Sequence, residues 1–283
     1  MKQLQGSMDL VPKAFISPDR GDFSLIDDIT FGARVTHLKD LGKPEVGINP
    51  GKVEVIYETP AGEKCTTTSD YVVLAIPYTA QRSITKSWPF APAQEQAIRD
   101  VRYVEVTKVL LQYQKRWWTD VFMQNEQGKD GGMVCDLPIR YTMFPKTDGD
   151  SQSAISNRGV VMAAYTFQQD ATILGAMNAE HRVQTAAENL DVVFPKAKSL
   201  RYLEAGASQV FPSDELAGSS AFCYFGPGQK GQYLEVMCDT DWENGIFFAG
   251  EQASYTHGWI QGALEAGLRC VQQVYDTATT RGT

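Results

Sequence analysis

The chain has 283 residues, 43% hydrophobic and 21% charged, which is typical of a globular protein of about two domains. The formal net charge of −8 argues against a protein that follows nucleic-acid phosphates, because such proteins present a basic surface. No apolar run reaches the roughly 20 residues that cross a bilayer, and the N-terminus lacks the apolar segment of a secretory signal. We therefore expect neither a nucleic-acid nor a membrane partner.

The cysteines give no sign of a metal site or a disulfide framework. There are five of them, an odd number, and none belongs to a Cys-x-x-Cys pair. They are Cys65, Cys135, Cys223, Cys238 and Cys270. We expect reduced thiols, no bound metal and a cytoplasmic location, and the absence of an Asn-x-Ser/Thr sequon agrees with this.

Strand patterns dominate the first hundred residues. Residues 32–38 predict a strand, and residues 51–76 predict a hairpin that turns at Pro60-Ala61-Gly62. The run over residues 71–76 is almost continuously apolar, which favours a strand buried on both faces. A helical period that opens on Pro92 predicts a helix over residues 92–101.

Strands and helices then follow without strict alternation. We predict strands at 104–113, 159–167 and 245–250 and helices at 179–194 and 259–275, with a polar loop over residues 143–158. This mixture predicts an α/β (α+β) fold.

The C-terminal stretch GIFFAGEQASYTHGWIQGALEAGLRCVQQV, residues 245–274, combines a buried strand, a polar loop and a helix with two kinds of face. Large apolar residues recur at helical spacing, and small residues lie between them; the large ones are Ile260, Leu264, Leu268, Val271 and Tyr275. A helix N-terminus exposes free N–H groups and a positive dipole end, which favours a negatively charged ligand. The pattern alone also fits an ordinary strand–loop–helix, with His257 a polar loop residue and Trp259 a core residue.

The segment FFAGEQASYTHGWIQGALEAGLR resembles the C-terminal flavin signature of the FAD-dependent amine oxidases, and its Gly-Trp pair resembles the L-amino-acid oxidase branch. Weaker matches follow in the family's order: GSMDLVPKAF, ARVTHL, DYVVLAIPYTAQRSITKSWPF, AIRDVRYVEVTKVLL and FCYFGPGQ. The resemblance implies the C-terminal part of a two-domain fold. Residues 1–101 and 228–283 would be parts of the FAD-binding domain, and residues 102–227 a mixed-sheet substrate-binding domain.

The resemblance also implies a cofactor site for FAD. Val35 matches a residue whose backbone contacts the adenine end, and Glu251 one that reaches the ribityl and diphosphate part. Gly250, Trp259 and Ile260 would complete the contacts at the C-terminal signature.

A substrate site is implied next to it. Lys108 matches the lysine that holds a water at flavin N5, and its alternation with Val106 and Leu110 argues against a strand-edge lysine in solvent. Tyr165 matches the tyrosine that binds the substrate carboxylate, although a packed core tyrosine fits the pattern too. Gly258 would accept from the amine through its carbonyl. Aromatic walls would come from Phe167, Phe222 and Trp259, and Phe211 stands where relatives often have Trp.

The family's opening strand–GxGxxG–helix unit is absent, since GPGQKG at residues 226–231 lacks the spacing and context. We expect an N-terminal half supplied by another chain, and a homo-oligomer of the whole enzyme. A shortened sequence and a relative that no longer binds FAD are the alternatives. In the first two cases the chain alone would leave a large apolar surface uncovered.

The implied reaction is the oxidation of an L-amino acid to a 2-oxo acid, with release of ammonia and with O2 reduced to H2O2. A primary amine or polyamine oxidase is the alternative within enzymes. A non-catalytic binding protein on the same fold is the alternative outside them.

Overall fold

A computed structural model describes residues 8–17, 24–42, 52–122, 131–145, 157–212, 221–241 and 245–280. It contains helices α1 (Leu10–Ile16), α2 (Tyr78–Gln81), α3 (Pro92–Asp100), α4 (Trp117–Phe122), α5 (Gln168–Gly175), α6 (Ala179–Val193), α7 (Gln229–Cys238) and α8 (Ile260–Thr280). The strands are β1 (Arg34–Asp40), β2 (Val53–Glu58), β3 (Lys64–Ser69), β4 (Val72–Leu74), β5 (Thr85–Lys86), β6 (Tyr103–Val104), β7 (Val106–Tyr113), β8 (Gly131–Val134), β9 (Tyr141–Phe144), β10 (Gly159–Phe167), β11 (Leu203–Phe211), β12 (Phe222–Cys223) and β13 (Ile246–Phe248). The mixed fold class is confirmed.

A five-stranded antiparallel sheet in the order β11-β7-β10-β9-β8 forms the middle of the chain. Helices α5 and α6 cover one face of this sheet. Alternate residues of β7 point into that side and are fully buried, among them Val109, Leu111 and Tyr113. The side chains beneath the helices, together with Trp117 and Trp118, form one hydrophobic cluster.

The other face of the same sheet is open. Lys108 lies on it and is half-buried, whereas Leu110 is 42% exposed. Val106, Lys108 and Leu110 share one face as expected, and exposure along it increases from the buried Val106 to Leu110. The reason is that helices cover only one side of the sheet.

A second group of strands comes from both ends of the sequence. Strands β1, β2, β3 and β5 form a four-stranded sheet, and the predicted hairpin is present as β2 and β3. Strands β4 and β13 pair in parallel although about 170 residues separate them in the sequence. Side chains of β4 and β13 pack with side chains of α3 and α7 in a second hydrophobic cluster.

The prediction that residues 71–76 form a strand buried on both faces is wrong. The strand is limited to Val72–Leu74, and Val73 is 46% exposed. Among the described residues β4 pairs with β13 alone, so its other edge has no ladder partner there.

Helix α8 packs through its small residues and not through its large ones. Gly262, Ala266 and Cys270 are buried against the rest of the chain. The predicted apolar face is exposed at all five positions, from 45% at Leu264 to 75% at Leu268. The close approach is therefore made by the small residues, and the large apolar residues of α8 form an exposed face.

Several segments have a secondary structure that differs from the predicted one, or lie outside the described residues. A helix that the sequence analysis missed, α7, begins within GPGQKG at Gln229, and Tyr233 of that helix donates to Asp100. Residues 143–144 of the expected loop belong to β9, and residues 146–156 lie outside the described residues. Gly6 and Ser7 of the N-terminal match lie outside them too. Among the described helices, none is long and apolar enough to traverse a bilayer.

The close approach of α8 to the preceding loop yields a stability prediction. A Cβ at Gly262 would lie 2.1 Å from the backbone oxygen of Thr256, whereas a Cβ at Gly267 would have nothing within 4 Å. Alanine in a helix is favoured over glycine by about 1 kcal/mol, and a steric overlap in a packed site costs about 1–3 kcal/mol. We expect Gly262→Ala to lower the free energy of unfolding in urea and Gly267→Ala to raise it slightly. Equal effects of the two changes would contradict the packing of α8.

Candidate active site

A row of aromatic rings leads from Lys108 across the open face of the sheet. The Lys108 ammonium nitrogen lies 4.9 Å from the centroid of the Tyr165 ring and 5.9 Å from that of Phe211. The Tyr165 and Phe167 rings are 4.5 Å apart between centroids, and Phe167 and Phe222 are 6.3 Å apart. We call Tyr165, Phe167 and Phe222 the aromatic row.

The strand ladders explain this row. Tyr165 is directly opposite Lys108 in the β10–β7 pairing, so both side chains leave the same face. Two residues further along β10, Phe167 points the same way. Phe222 comes from a different strand, β12, which pairs with β6 just before β7 begins.

Gly258 lies at the far end of the aromatic row. A Cβ on Gly258 would be 3.4 Å from the Phe222 ring, so the backbone of the loop lies against that ring. The φ angle of Gly258 is +75°, in the left-handed region where glycine is favoured. Contacts through one row of rings thus bring the predicted residues Lys108, Tyr165, Phe167, Phe222 and Gly258 into one surface.

Glu251 fixes the loop to the aromatic row. One carboxylate oxygen accepts the N–H of Cys223, and the other accepts the N–H of Gly258 at 2.8 Å. Cys223 is the neighbour of Phe222 in β12, so this single side chain holds the row and the loop together. Its role towards FAD stays a prediction.

Gln252 ties the carboxyl ends of the two parallel strands β4 and β13. Its amide nitrogen donates to the carbonyl oxygens of Ile76 and Ala249, each at 2.9 Å, and the residue is almost fully buried. Sequence reasoning missed this residue. The signal was a glutamine in the short turn after a buried strand, where a long polar side chain must find partners.

His257 closes the same loop from inside. Its Nε2–H donates to the carbonyl oxygen of Gln252 at 3.1 Å, and its ring lies 4.6 Å from that of Phe225. Burial lowers the pKa of His257, and the nearby Glu251 carboxylate only partly offsets this. The neutral imidazole is therefore the favoured form in the folded protein.

The start of α8 is exposed next to this loop. Trp259 is 58% exposed and Ile260, the first helical residue, is 47% exposed. Gly250 lies two residues after the last residue of β13, beyond the carboxyl end of that strand. Val35 is placed apart from these residues: it lies in β1 of the four-stranded sheet and packs against the second cluster.

Tyr165 is in a state that suits hydrogen-bond donation. Burial raises the pKa of its hydroxyl, so the group stays protonated across the physiological range. A protonated phenol beside the Lys108 ammonium can donate to an anionic group such as a carboxylate.

Comparison with known proteins identifies the family. The model of the flavin containing amine oxidoreductases matches residues 2–275, so the chain belongs to that family. It is 29% identical over 229 residues to an L-amino-acid oxidase of Gloydius halys, covering 80% of this chain and 42% of the relative. It is 27% identical over 275 residues to an L-amino-acid oxidase of Protobothrops flavoviridis, covering 96% and 49%.

A solved structure supports the fold. A triple mutant of putrescine oxidase matches with a TM-score of 0.67 at 19% identity, over 92% of this chain and 51% of that one. The fold is therefore that of an FAD amine oxidase. The chain spans about half the length of the curated relatives it matches.

The described residues fit the cofactor of the family, FAD. Half-exposed rings and a lysine lie on one open sheet face, and a helix N-terminus opens next to them. Such a surface suits a flat ring that becomes negatively charged when reduced. No group of three potential metal ligands occurs in the described part of the chain.

Replacing Glu251 by glutamine tests the bridge between Cys223 and Gly258. The amide keeps one acceptor oxygen but turns an NH2 group towards the second N–H, and a hydrogen bond to a charged group contributes about 1.5–3 kcal/mol. We expect Glu251→Gln to lower the free energy of unfolding by about 2–4 kcal/mol. Glu265→Gln, at an exposed position on α8, is the matched control and should change it little. Comparable losses in both variants would show that the bridge contributes nothing.

Acid titration tests the environment of His257. The unfolded imidazole has a pKa near 6.5 and the folded one is lower. Between these two values the unfolded state binds more protons, so stability falls as the pH drops. We expect the His257→Gln variant to lose less stability than the wild type between pH 7.5 and pH 5, in urea titrations. His181→Gln, on an exposed helical position, is the control; an unchanged pH slope in His257→Gln would refute the assignment.

Proposed function

We propose that this chain forms the substrate-binding part, and part of the flavin-binding part, of an enzyme that oxidises an L-amino acid to a 2-oxo acid. Ammonia and H2O2 would be the other products, and O2 the electron acceptor. The observation that carries the proposal is the single surface formed by Lys108, the aromatic row and Gly258. Relatives named L-amino-acid oxidases support the substrate class.

Each residue has a task that its chemistry allows. The Tyr165 hydroxyl donates to the substrate carboxylate. The carbonyl of Gly258, the residue whose N–H donates to Glu251, accepts from the substrate amine. Phe167 and Phe222 lie between those two residues and would pack against the substrate side chain. In the assembled enzyme the rings would form one wall of a site that excludes water from the reacting carbon.

Lys108 would hold the water that hydrolyses the imino product. Its ammonium can donate three hydrogen bonds, and its position over the Tyr165 ring leaves at least one free of the aromatic face. FAD, when bound, supplies the acceptor for the two electrons and the α-hydrogen of the substrate. The chain's own contribution is orientation and charge.

The N-terminal half of the enzyme is the partner in this proposal. The exposed face of α8 is apolar and begins directly after the loop that carries Glu251 and Gly258, and Val73 of β4 is exposed as well. Contiguous apolar surface of this kind is normally covered in a mature protein. A second polypeptide, or a preceding segment of a longer one, with the dinucleotide-binding unit would cover it.

Oxidation of a primary amine or a polyamine is the second candidate. The aromatic row would also hold an amine that has no carboxylate, because packing and cation–π attraction do not need the Tyr165 hydroxyl. The two candidates differ in whether that hydroxyl has a partner on the substrate.

Tyr165→Phe distinguishes them in the flavin-loaded enzyme assembled with its N-terminal half. We expect KM for L-amino acids to rise about tenfold or more, which corresponds to the ~1.4 kcal/mol of one hydrogen bond to a charged group. KM for the corresponding amines should stay unchanged, and H2O2 formation is the assay. Phe167→Leu, which keeps an apolar wall and the hydroxyl, is the control.

Three results would contradict the proposal. A Tyr165→Phe enzyme with unaltered KM for amino acids would remove the carboxylate contact. Turnover of amines alone would favour the second candidate. A colourless assembly that cannot take up FAD would indicate a binding protein without catalysis.

A further inference from the structure

A second tyrosine extends the aromatic row on the side away from Lys108. The Tyr141 ring, on β9, is 6.4 Å from the Tyr165 ring between centroids, with 40° between their planes. Strand β9 adjoins β10 in the sheet, and Tyr141 is half-buried on the same open face. Nothing in the sequence motifs singled out this residue.

Gly132 makes room for the Tyr141 ring. A Cβ at Gly132 would lie 2.7 Å from the Tyr141 hydroxyl oxygen and 2.8 Å from Cε2 of the ring. These distances are shorter than ordinary van der Waals contact, so the ring lies directly on the backbone of β8. Gly131, the preceding residue, has nothing within 4 Å of the equivalent position.

The backbone on both sides holds Tyr141 in place. Arg140 has a φ angle of +53°, in the left-handed region, at the end of the tight turn between β8 and β9. Its guanidinium donates to Asp170 at 3.0 Å and to the carbonyl of Asp136. On the other side, Thr142 is buried and donates to the carbonyl of Ala163 in β10 at 2.8 Å. The left-handed conformation of Arg140 costs about 1–3 kcal/mol and persists only where the surroundings impose it.

We propose that Tyr141 is a positioning residue: seated on Gly132, its ring sets the orientation of the Tyr165 ring and thereby the affinity for the substrate carboxylate. The inference rests on the proposed function, because it assigns Tyr165 to that carboxylate. A ring displaced from β8 moves away from that strand, and Tyr165 is its aromatic neighbour on the opposite side.

The experiment compares Gly132→Ala with Gly131→Ala in the flavin-loaded enzyme. Both add one methyl group to the same strand, but only the first meets Tyr141. We expect Gly132→Ala to raise KM for L-amino acids, and Kd for benzoate by calorimetry, about three- to tenfold. We expect kcat to stay within about twofold of the wild-type value and KM for matched amines to stay unchanged. Gly131→Ala should behave as the wild type.

Two further variants test whether a loss of affinity comes from the Tyr141 ring or from misfolding caused by the change at Gly132. Tyr141→Phe keeps the ring and should retain the affinity for amino acids, whereas Tyr141→Leu removes the ring without touching Gly132 and should weaken it. In a Tyr165→Phe background, Gly132→Ala should have no additional effect, because the two changes act through one contact. A full additional loss in that background overturns the proposal, as does a Gly132→Ala enzyme that matches Gly131→Ala.

A spectroscopic measurement separates this inference from the proposed function. With fluorotyrosine at position 165, Gly132→Ala should shift the Tyr165 fluorine resonance and Gly131→Ala should not. An unmoved resonance overturns the positioning role whatever the enzyme oxidises. A shifted resonance together with a Tyr165→Phe enzyme that binds carboxylates normally supports the positioning role and refutes the carboxylate assignment.

Discussion

One carboxylate joins the two parts of the site. Glu251 accepts the N–H of Cys223 through one oxygen and the N–H of Gly258 through the other. The first N–H belongs to the strand that carries Phe222, and the second to the loop in front of α8. A carboxylate with two backbone donors is a strong and directional link.

The link matters because the two parts belong to different packing units. Lys108 and Tyr165 lie on a sheet whose opposite face is packed against α5 and α6, so their own face is free to receive a ligand. Gly258 follows the pair of parallel strands β4 and β13, whose residues join the other hydrophobic cluster. A site at the junction of two such units can gather side chains that no single strand or helix presents.

The same arrangement explains why so much apolar surface remains. The small residues of α8 allow the helix to pack closely against the preceding loop, where Gly262 lies next to Thr256 and Ser254. Its large residues therefore face outwards. Arg269 of α8 donates to the carbonyls of Ala253 and Phe248, which fixes the helix to the end of β13 and leaves the outer face available for a partner.

Much of this protein could be predicted from local pattern. The periods of two and 3.6 residues identified β1, β7, β10, α6 and α8 within a few residues, because burial of one face imposes those periods on the sequence. The C-terminal signature indicated flavin through its resemblance to the amine oxidases, whereas its residue pattern alone also fitted an ordinary strand–loop–helix. The side of the sheet that stays open and the outward turn of α8 were not predictable, because both depend on which neighbours exist in space.

The side chains that support the site depended on tertiary structure as well. Gln252 donates to the carbonyl of Ile76, which is remote in sequence. The Tyr141 ring lies next to the Tyr165 ring only because β9 pairs with β10. A chain read residue by residue contains no such distances. The sequence by itself determined most of the long strands and helices, because these follow from periodicity, and it determined the kind of cofactor through the resemblance of its C-terminal motif to a known family. The tertiary structure alone decided which residues meet and which surface stays open, because strand pairing and packing join segments that are far apart in the chain.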